Sequence, residues 1–335
     1  MFCTAWEGNA ERAARLIMSN LYKCDNSIEW DAFVQASPQR NVFCTSTFLN
    51  SLPIKYETWF LESKNQIKAG LVLVLDDDGQ SRRGPFFFSM YHGALLAGSN
   101  HTLRPHKTGQ NVLKTLTSLV ENITQDRPEL FISSHYSLDD VRSFSWHNYA
   151  GTASEKFDLN VRYTGLIDVG GVSFDGYLAS VRTTRRQEFK SAAKKGLTAE
   201  LSDDVEALLG LYKKTFERQD VSIEKQQEQT LRNITNEYLE NGNGQLVLVR
   251  MPDTTPASAN FFLKDGSMSY YLIGANDPEY MSSFSGTFCF LSAIEHLMND
   301  GVGIVDVCGM NSPNRGDFKL SFNAVPTPYF NASIG

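Results

Sequence analysis

Apolar positions along this chain alternate between short runs at strand spacing and longer runs at helical spacing. Ser27 precedes a helical pattern through Ile28, Trp30, Phe33 and Val34 that stops near Ser37-Pro38. Residues 56–61 and 67–75 read as two strands, the second almost wholly apolar and therefore central in its sheet. Asp76-Asp77-Asp78-Gly79 reads as a solvated turn; it lacks the spaced ligands and closing Glu of an EF-hand calcium loop. Pro85-Phe86-Phe87-Phe88 predicts a strand running into a loop at residues 89–93. Residues 103–123 predict a long helix, with Val112, Leu113, Leu116, Leu119 and Val120 at helical spacing. Short strands follow at 130–132 and 163–169, the latter broken by Gly170-Gly171.

The second half opens on a segment, residues 174–197, in which Leu178, Val181, Phe189 and Ala192 share one helical face. Arg182, Arg186, Lys190 and Lys194 recur at intervals of four and form one basic ridge, flanked by Arg185 and Lys195. Glu188 is the single acid between Arg182 and Lys195. Like charges at that spacing destabilise a helix by roughly 0.2–0.5 kcal/mol per pair, so something should offset them. Acids from elsewhere in the fold are one answer and a bound phosphate is the other. Beyond Gly196 the pattern gives a strand (197–201), two helices (205–218 and 225–240), three strands (245–250, 257–263, 267–274), a helix (285–299) and a strand (303–307). A tail holding Phe318 and Phe322 ends in a closing strand at 327–330. This order implies an antiparallel meander joined by one helical crossover to a parallel neighbour.

Length and composition narrow the picture. At 335 residues the chain fits about two domains of roughly 150 residues each. Its 41% hydrophobic content excludes a disordered chain, and its net charge of −7 argues against duplex DNA as a partner. No apolar run approaches the roughly 20 residues of a membrane-spanning helix. The opening residues carry Glu7 and Glu11 before any apolar stretch and do not read as a signal peptide. Cys3, Cys24, Cys44, Cys289 and Cys308 are odd in number and never form C-x-x-C, so neither a disulfide framework nor a metal site is expected, and a reducing, cytoplasmic location fits.

Three motifs carry a resemblance. Val181-Arg182, Arg185-Arg186, Phe189-Lys190 and Ala193-Lys194-Lys195-Gly196-Leu197 form the first. Tyr270-Tyr271-Leu272-Ile273-Gly274-Ala275 is the second. Val305-Asp306-Val307-Cys308-Gly309 with Phe318-Lys319-Leu320-Ser321-Phe322-Asn323-Ala324 is the third. In this order they resemble the FemAB-like branch of the GNAT acyltransferase superfamily, close to its nucleotide-sugar N-acyltransferases. The resemblance implies an α/β (α+β) fold of two tandem GNAT-like domains, each a mixed, mostly antiparallel sheet flanked by helices, here 1–165 and 166–335. The first half matches more loosely, through Trp30-Asp31-Ala32-Phe33-Val34 and Phe43-Cys44-Thr45-Ser46. Two departures stand out. Ser282-Ser283-Phe284-Ser285-Gly286-Thr287 occupies the place of the superfamily's phosphate signature, and no lysine near residues 50–52 matches the one carried by cell-wall bridge-forming members.

The resemblance implies transfer of an acyl group from a coenzyme A thioester to an amine, with a nucleotide-linked amino sugar as acceptor. An aminoacyl-tRNA-dependent transferase and a silent binding module are the competing readings. On this reading Leu272, Ile273 and Gly274 take the pantetheine arm, and Ser285, Gly286 and Thr287 at the following helix N-terminus take its pyrophosphate. A serine-rich N-cap with a packing glycine explains the same residues without a ligand. Asp306, in an apolar strand, is a general-base candidate, or else pairs with Lys319 or caps a turn. His92 is the rival base. Tyr270, or Tyr271, is the candidate proton donor to the leaving thiolate. Arg185, Arg186 and Lys319 are expected to clamp an acceptor diphosphate, and Tyr91 or Phe88 to stack on its base or sugar, in a cleft between the domains.

Overall fold

A computed structural model of the chain describes residues 19–102, 104–218 and 222–335. Cys3, the opening residues tested for a signal peptide and Leu103 at the start of the long helix lie outside the described residues. The chain divides into two compact units. The first comprises the described residues up to Ser46, Ile54–Val161 and Tyr329–Gly335; the second comprises Thr47–Pro53 and Arg162–Pro328.

In the first unit, β1 (Ser19–Lys23), β2 (Tyr56–Ser63), β3 (Gln66–Val74) and β4 (Ala94–Leu96) form an antiparallel sheet in that order. Lys64 and Asn65 both have positive φ, 54° and 56°, which closes the β2–β3 hairpin in two residues. Helix α1 (Ser27–Ala36) starts where the Asn26 side chain accepts from Ile28 and Glu29 N–H groups. Helix α2 (Pro105–Asp126) opens on Pro105, whose missing N–H is needed by no partner there. It buries Val112, Leu116, Leu119, Val120 and Ile123 against Trp59, Leu71 and Leu73 of the sheet. Strand β5 (Leu130–Ser133) pairs antiparallel with residues 331–334. The strand expected at residues 85–88 is absent. Phe88 adopts φ 61°, a left-handed conformation that no strand accommodates, and extended pairing begins only at Ala94.

In the second unit, the strands run in the order β6 (Asp158–Asp168), β11 (Ile304–Asp306), β10 (Met268–Asn276), β9 (Pro256–Asp265), β8 (Gly244–Arg250), β7 (Thr198–Ser202). Every neighbouring pair is antiparallel except β10 with β11. Helix α7 (Ser285–Asn299) makes the crossover between those two. It buries Phe288, Phe290, Leu291, Ile294 and Leu297 against Val247, Val249, Phe262 and Tyr271. Helices α5 (Val205–Glu217) and α6 (Lys225–Glu240) are amphipathic, and α5 packs on β9 and β10.

The segment 174–197 is two helices, α3 (Phe174–Ser180) and α4 (Thr183–Lys194). The chain is extended between them: Val181 has ψ 148° and Arg182 ψ 135°. That extension lets the Arg182 N–H reach the Ser321 carbonyl while its guanidinium meets both oxygens of Asp317. Arg182 is therefore drawn off the ridge, which shortens to Arg186, Lys190 and Lys194. Residues 313–320, which carry no predicted element, form helix α8 (Pro313–Leu320) with proline in its first turn. The last strand, β12 (Val325–Ile334), encloses the expected 327–330.

Candidate functional site

The parallel pairing of β10 with β11 lasts for three register pairs: Met268 with Ile304, Ser269 with Val305, Tyr270 with Asp306. Beyond them the strands part. Tyr271 still faces Phe262 on β9, but the next partners are Ile273 and Phe261, so Leu272 is an extra residue in a bulge. The chain leaving β11 turns the other way and stays with β6. Val307 N–H donates to the Gly165 carbonyl at 2.9 Å and Met310 N–H to the Tyr163 carbonyl at 2.8 Å. Residues 271–276 thus continue without a β11 partner, and a fork opens on that side of β10.

Gly274 borders the fork. An added Cβ would collide with the Tyr271 hydroxyl, so only glycine lets the strand and that ring share the space. Tyr271 stacks on Phe262 at 5.0 Å and meets Phe290 edge-on at 5.0 Å; Phe290 in turn packs on Phe322 at 4.4 Å. Burial pushes the Tyr271 phenol well above its ordinary pKa. Tyr270, its neighbour, is wholly buried in register with Leu263 and Asp306.

Lys319, on α8, reaches into the fork. Its ammonium donates to the carbonyls of Cys308 and, at 3.0 Å, Gly309, both just past the end of β11. It also lies 5.6 Å from the Tyr271 ring on β10. Burial lowers its pKa to about 8. Two of the three N–H groups are committed to carbonyls and one is left over. Asp306 is wholly buried; it accepts from the Thr164 hydroxyl and, at 2.8 Å, from the Cys308 N–H, which caps the turn out of β11.

Helix α7 begins near the end of β10, with Gly286 close to Asn276. Its N-cap, Phe284, is left-handed at φ 66° and offers no side-chain cap to the first turn. Ser285 and Thr287 are buried, and the Ser285 hydroxyl has no hydrogen-bond partner. Gly286 is close-packed: a Cβ there would lie 2.6 Å from the Asn276 amide oxygen. Thr287 donates to Glu188 at 2.6 Å, and the same carboxylate accepts from Arg185 at 2.7 Å.

The basic residues of α4 divide by role. Arg185 is held by Glu188, Thr287 and Ser321 and stacks 4.9 Å from Phe318. Arg186 donates to Thr183, and its buried Nε has no partner. Lys190 and Lys194 are exposed. The structure thus gathers Leu272, Ile273, Gly274, Tyr270, Asp306 and Lys319 about one fork, with Ser285, Gly286 and Thr287 on the crossover helix and Arg185 and Arg186 on α4. His92, Tyr91 and Phe88 belong to the first unit. His92 is buried against Phe131 with Ser89 at 3.1 Å, and burial lowers its pKa to about 4. Tyr91 is fully enclosed by Phe43, His135, Tyr136 and Tyr329. Phe88 is half-buried. The Leu272 bulge and the helix that carries Lys319 are the features sequence reasoning missed.

Comparison with known proteins bears on the fold. Residues 179–319 match the family model described as an acetyltransferase (GNAT) domain. FemX superposes with TM-score 0.66 at 13% identity, over 93% of this chain and 96% of its own. A tandem GNAT protein from the clavulanic acid biosynthesis pathway gives TM-score 0.54 at 12% identity, covering 95% of this chain and 99% of its own. The C-terminal domain of a putative lysylphosphatidylglycerol synthetase from Agrobacterium fabrum gives TM-score 0.56 at 11% identity, covering 92% of each chain. A search of curated proteins finds no sequence match. The chain therefore has the tandem GNAT fold, and residues 179–319 are similar to the acetyltransferase (GNAT) domain.

Proposed function

We propose that this protein is an N-acyltransferase that moves an acyl group from a coenzyme A thioester to the amine of an amino sugar, nucleotide-linked in its natural form. The observation that carries the reading is the fork: β10 loses its parallel neighbour after Tyr270, and residues 272–274 are left with a free edge. An extended pantetheine arm, rich in amides, pairs with such an edge as a further strand would. Freed backbone N–H groups beside the bulge then hydrogen-bond the thioester carbonyl and stabilise the oxyanion that develops when the amine attacks. The uncommitted N–H of Lys319 serves the same oxygen, with a full charge behind it. The pyrophosphate rests at the start of α7, where first-turn N–H groups and the Ser285 hydroxyl lack protein partners.

The amine must lose a proton for the product amide to form. Asp306 is the candidate acceptor and Tyr270 the candidate donor to the departing thiolate. On the acceptor side, Arg186 keeps an unsatisfied Nε for a phosphate oxygen, whereas Arg185 is bound to protein groups and fixes the α4–α7 contact. The exposed charges of Lys190 and Lys194 favour a second reading, in which the donor is an aminoacyl-tRNA whose backbone lies along α4.

A thermal-shift panel separates these readings, because a ligand that binds only the native state raises its stability by RT ln(1 + [L]/Kd). Acetyl-CoA at 100 times its Kd adds about 2.7 kcal/mol and raises the midpoint by several degrees. A shift with charged tRNA and none with any acyl-CoA overturns the proposal in favour of the second reading.

A further inference from the structure

The segment that leads into α7, residues 278–287, contains no lysine or arginine, and Glu279 gives it a negative charge. A helix N-terminus supplies only about half a positive charge, too little for a pyrophosphate that carries two negative ones. Arg185 reaches Thr287 but is already paired with Glu188, and two further cations reach this segment from two helices. Lys195, which ends α4, donates from Nζ to the Ser282 carbonyl at 2.7 Å and stands 4.5 Å over the Phe284 ring. Arg218, which ends α5, donates from Nη1 to the Met281 thioether at 2.6 Å. Both are exposed, and neither pairs with a carboxylate among the described residues. Their present partners are weak: a carbonyl takes one of three ammonium protons, and a thioether is a poor acceptor for a guanidinium. Both contacts fall on Met281 and Ser282, three to four residues before Ser285, whose hydroxyl is buried without a partner at the head of α7.

We infer that Lys195 and Arg218 are a two-cation clamp for the donor's pyrophosphate, replacing a charge that the loop itself lacks. The inference rests on the acyl-CoA reading above. The Phe284 ring holds the Lys195 ammonium over the loop, a cation–π contact that keeps the charge in place before the ligand arrives. Arg218 exchanges a thioether for a phosphate oxygen when the donor binds, which its planar fork suits better. Neither residue touches the thioester, so both act on donor affinity and not on the chemical step.

The test is calorimetric binding of coenzyme A, 3′-dephospho-coenzyme A and pantetheine to the full chain and to Lys195→Gln and Arg218→Gln. Each variant is expected to weaken coenzyme A and the dephospho form alike by about tenfold, with pantetheine unchanged. Coenzyme A binding should weaken as salt rises, and each variant should show a shallower salt dependence than the parent. Equal binding of coenzyme A by the parent and both variants overturns the clamp while leaving the donor class intact. A loss with coenzyme A but not with its dephospho form also overturns it, because the cations then serve the 3′-phosphate. No binding of coenzyme A by the parent protein overturns the donor reading itself. A circular-dichroism melt confirms that each variant is folded, as expected for exposed side chains.

Discussion

Lys319 is where one side chain decides the most chemistry. An ordinary lysine is a cation across the physiological range, but burial brings this one to about 8. The proposed role as a donor to the thioester carbonyl oxygen needs the protonated form. Relative to a Lys319→Arg variant, the rate at saturating acyl donor should therefore be constant below that pH and fall as pH rises through about 8. Lys319→Arg should keep a slower rate and lose the falling limb, since guanidinium does not titrate there. Lys319→Met should lower kcat by at least 100-fold, the scale of losing one oxyanion donor. A pH–rate profile checks all three, and a rate that rises through pH 8 makes Lys319 a base instead. The sequence named Lys319 as a phosphate clamp because its partners come from backbone: carbonyls of Cys308 and Gly309 leave no trace in residue type. Asp306 was more legible, since a lone carboxylate in an apolar strand advertises a special environment. Its capping of the turn at Cys308 was one of the readings its setting allowed.

Among the elements, the order of the second unit was almost entirely readable. Alternating and helical spacings gave the meander, the two helices before it, the crossover helix and the parallel strand close to their observed limits. Three features were not. The break between α3 and α4 sits inside an unbroken helical pattern, because it is imposed by Arg182 reaching Ser321 and Asp317 far along the chain. Helix α8 carries Gly316 and only two large apolar residues, so its periodicity is faint, although Ser312-Pro313 is a proper start signal. The bulge at Leu272 adds one residue without changing any composition. In the first unit, Phe88 shows the limit of β propensity: three consecutive phenylalanines read as strand, yet the third is left-handed. Hydrogen exchange tests the fork at this scale. Those amides of residues 272–274 that face the open edge should exchange faster than that of Tyr270, which lies within the paired ladder, and should slow at least tenfold when acetyl-CoA is added. Protection already equal to that of Tyr270 in the free protein means the edge is closed.

Taken whole, the molecule has an acid-sensitive half. In the first unit His92 and His135 are both buried, and burial lowers their pKa values to about 4 and about 3. The unfolded chain binds these protons with a pKa near 6.5, so the unfolded state gains protons first as pH falls. Above pH 6.5 neither histidine costs stability. Below it each removes about 1.4 kcal/mol per pH unit until its folded value is reached. Glu57, held below its ordinary pKa by Lys23 and Arg127, adds a further loss once pH drops below the carboxylate range. Chemical denaturation at a series of pH values should show stability falling from pH 6.5 towards 4. Replacing His135 with Phe should flatten that slope by about half, whereas an unchanged slope would place the acid sensitivity elsewhere.

Whether the fork accepts a thioester is tested most directly by a crystal structure of the protein with acetyl-CoA. The pantetheine arm should lie along Leu272, Ile273 and Gly274, with the thioester carbonyl within hydrogen-bonding distance of Lys319 Nζ and the pyrophosphate at Ser285 and Gly286. Acetyl-CoA bound away from β10, or β10 and β11 joined past Tyr270 and Asp306 with no room between them, would contradict it.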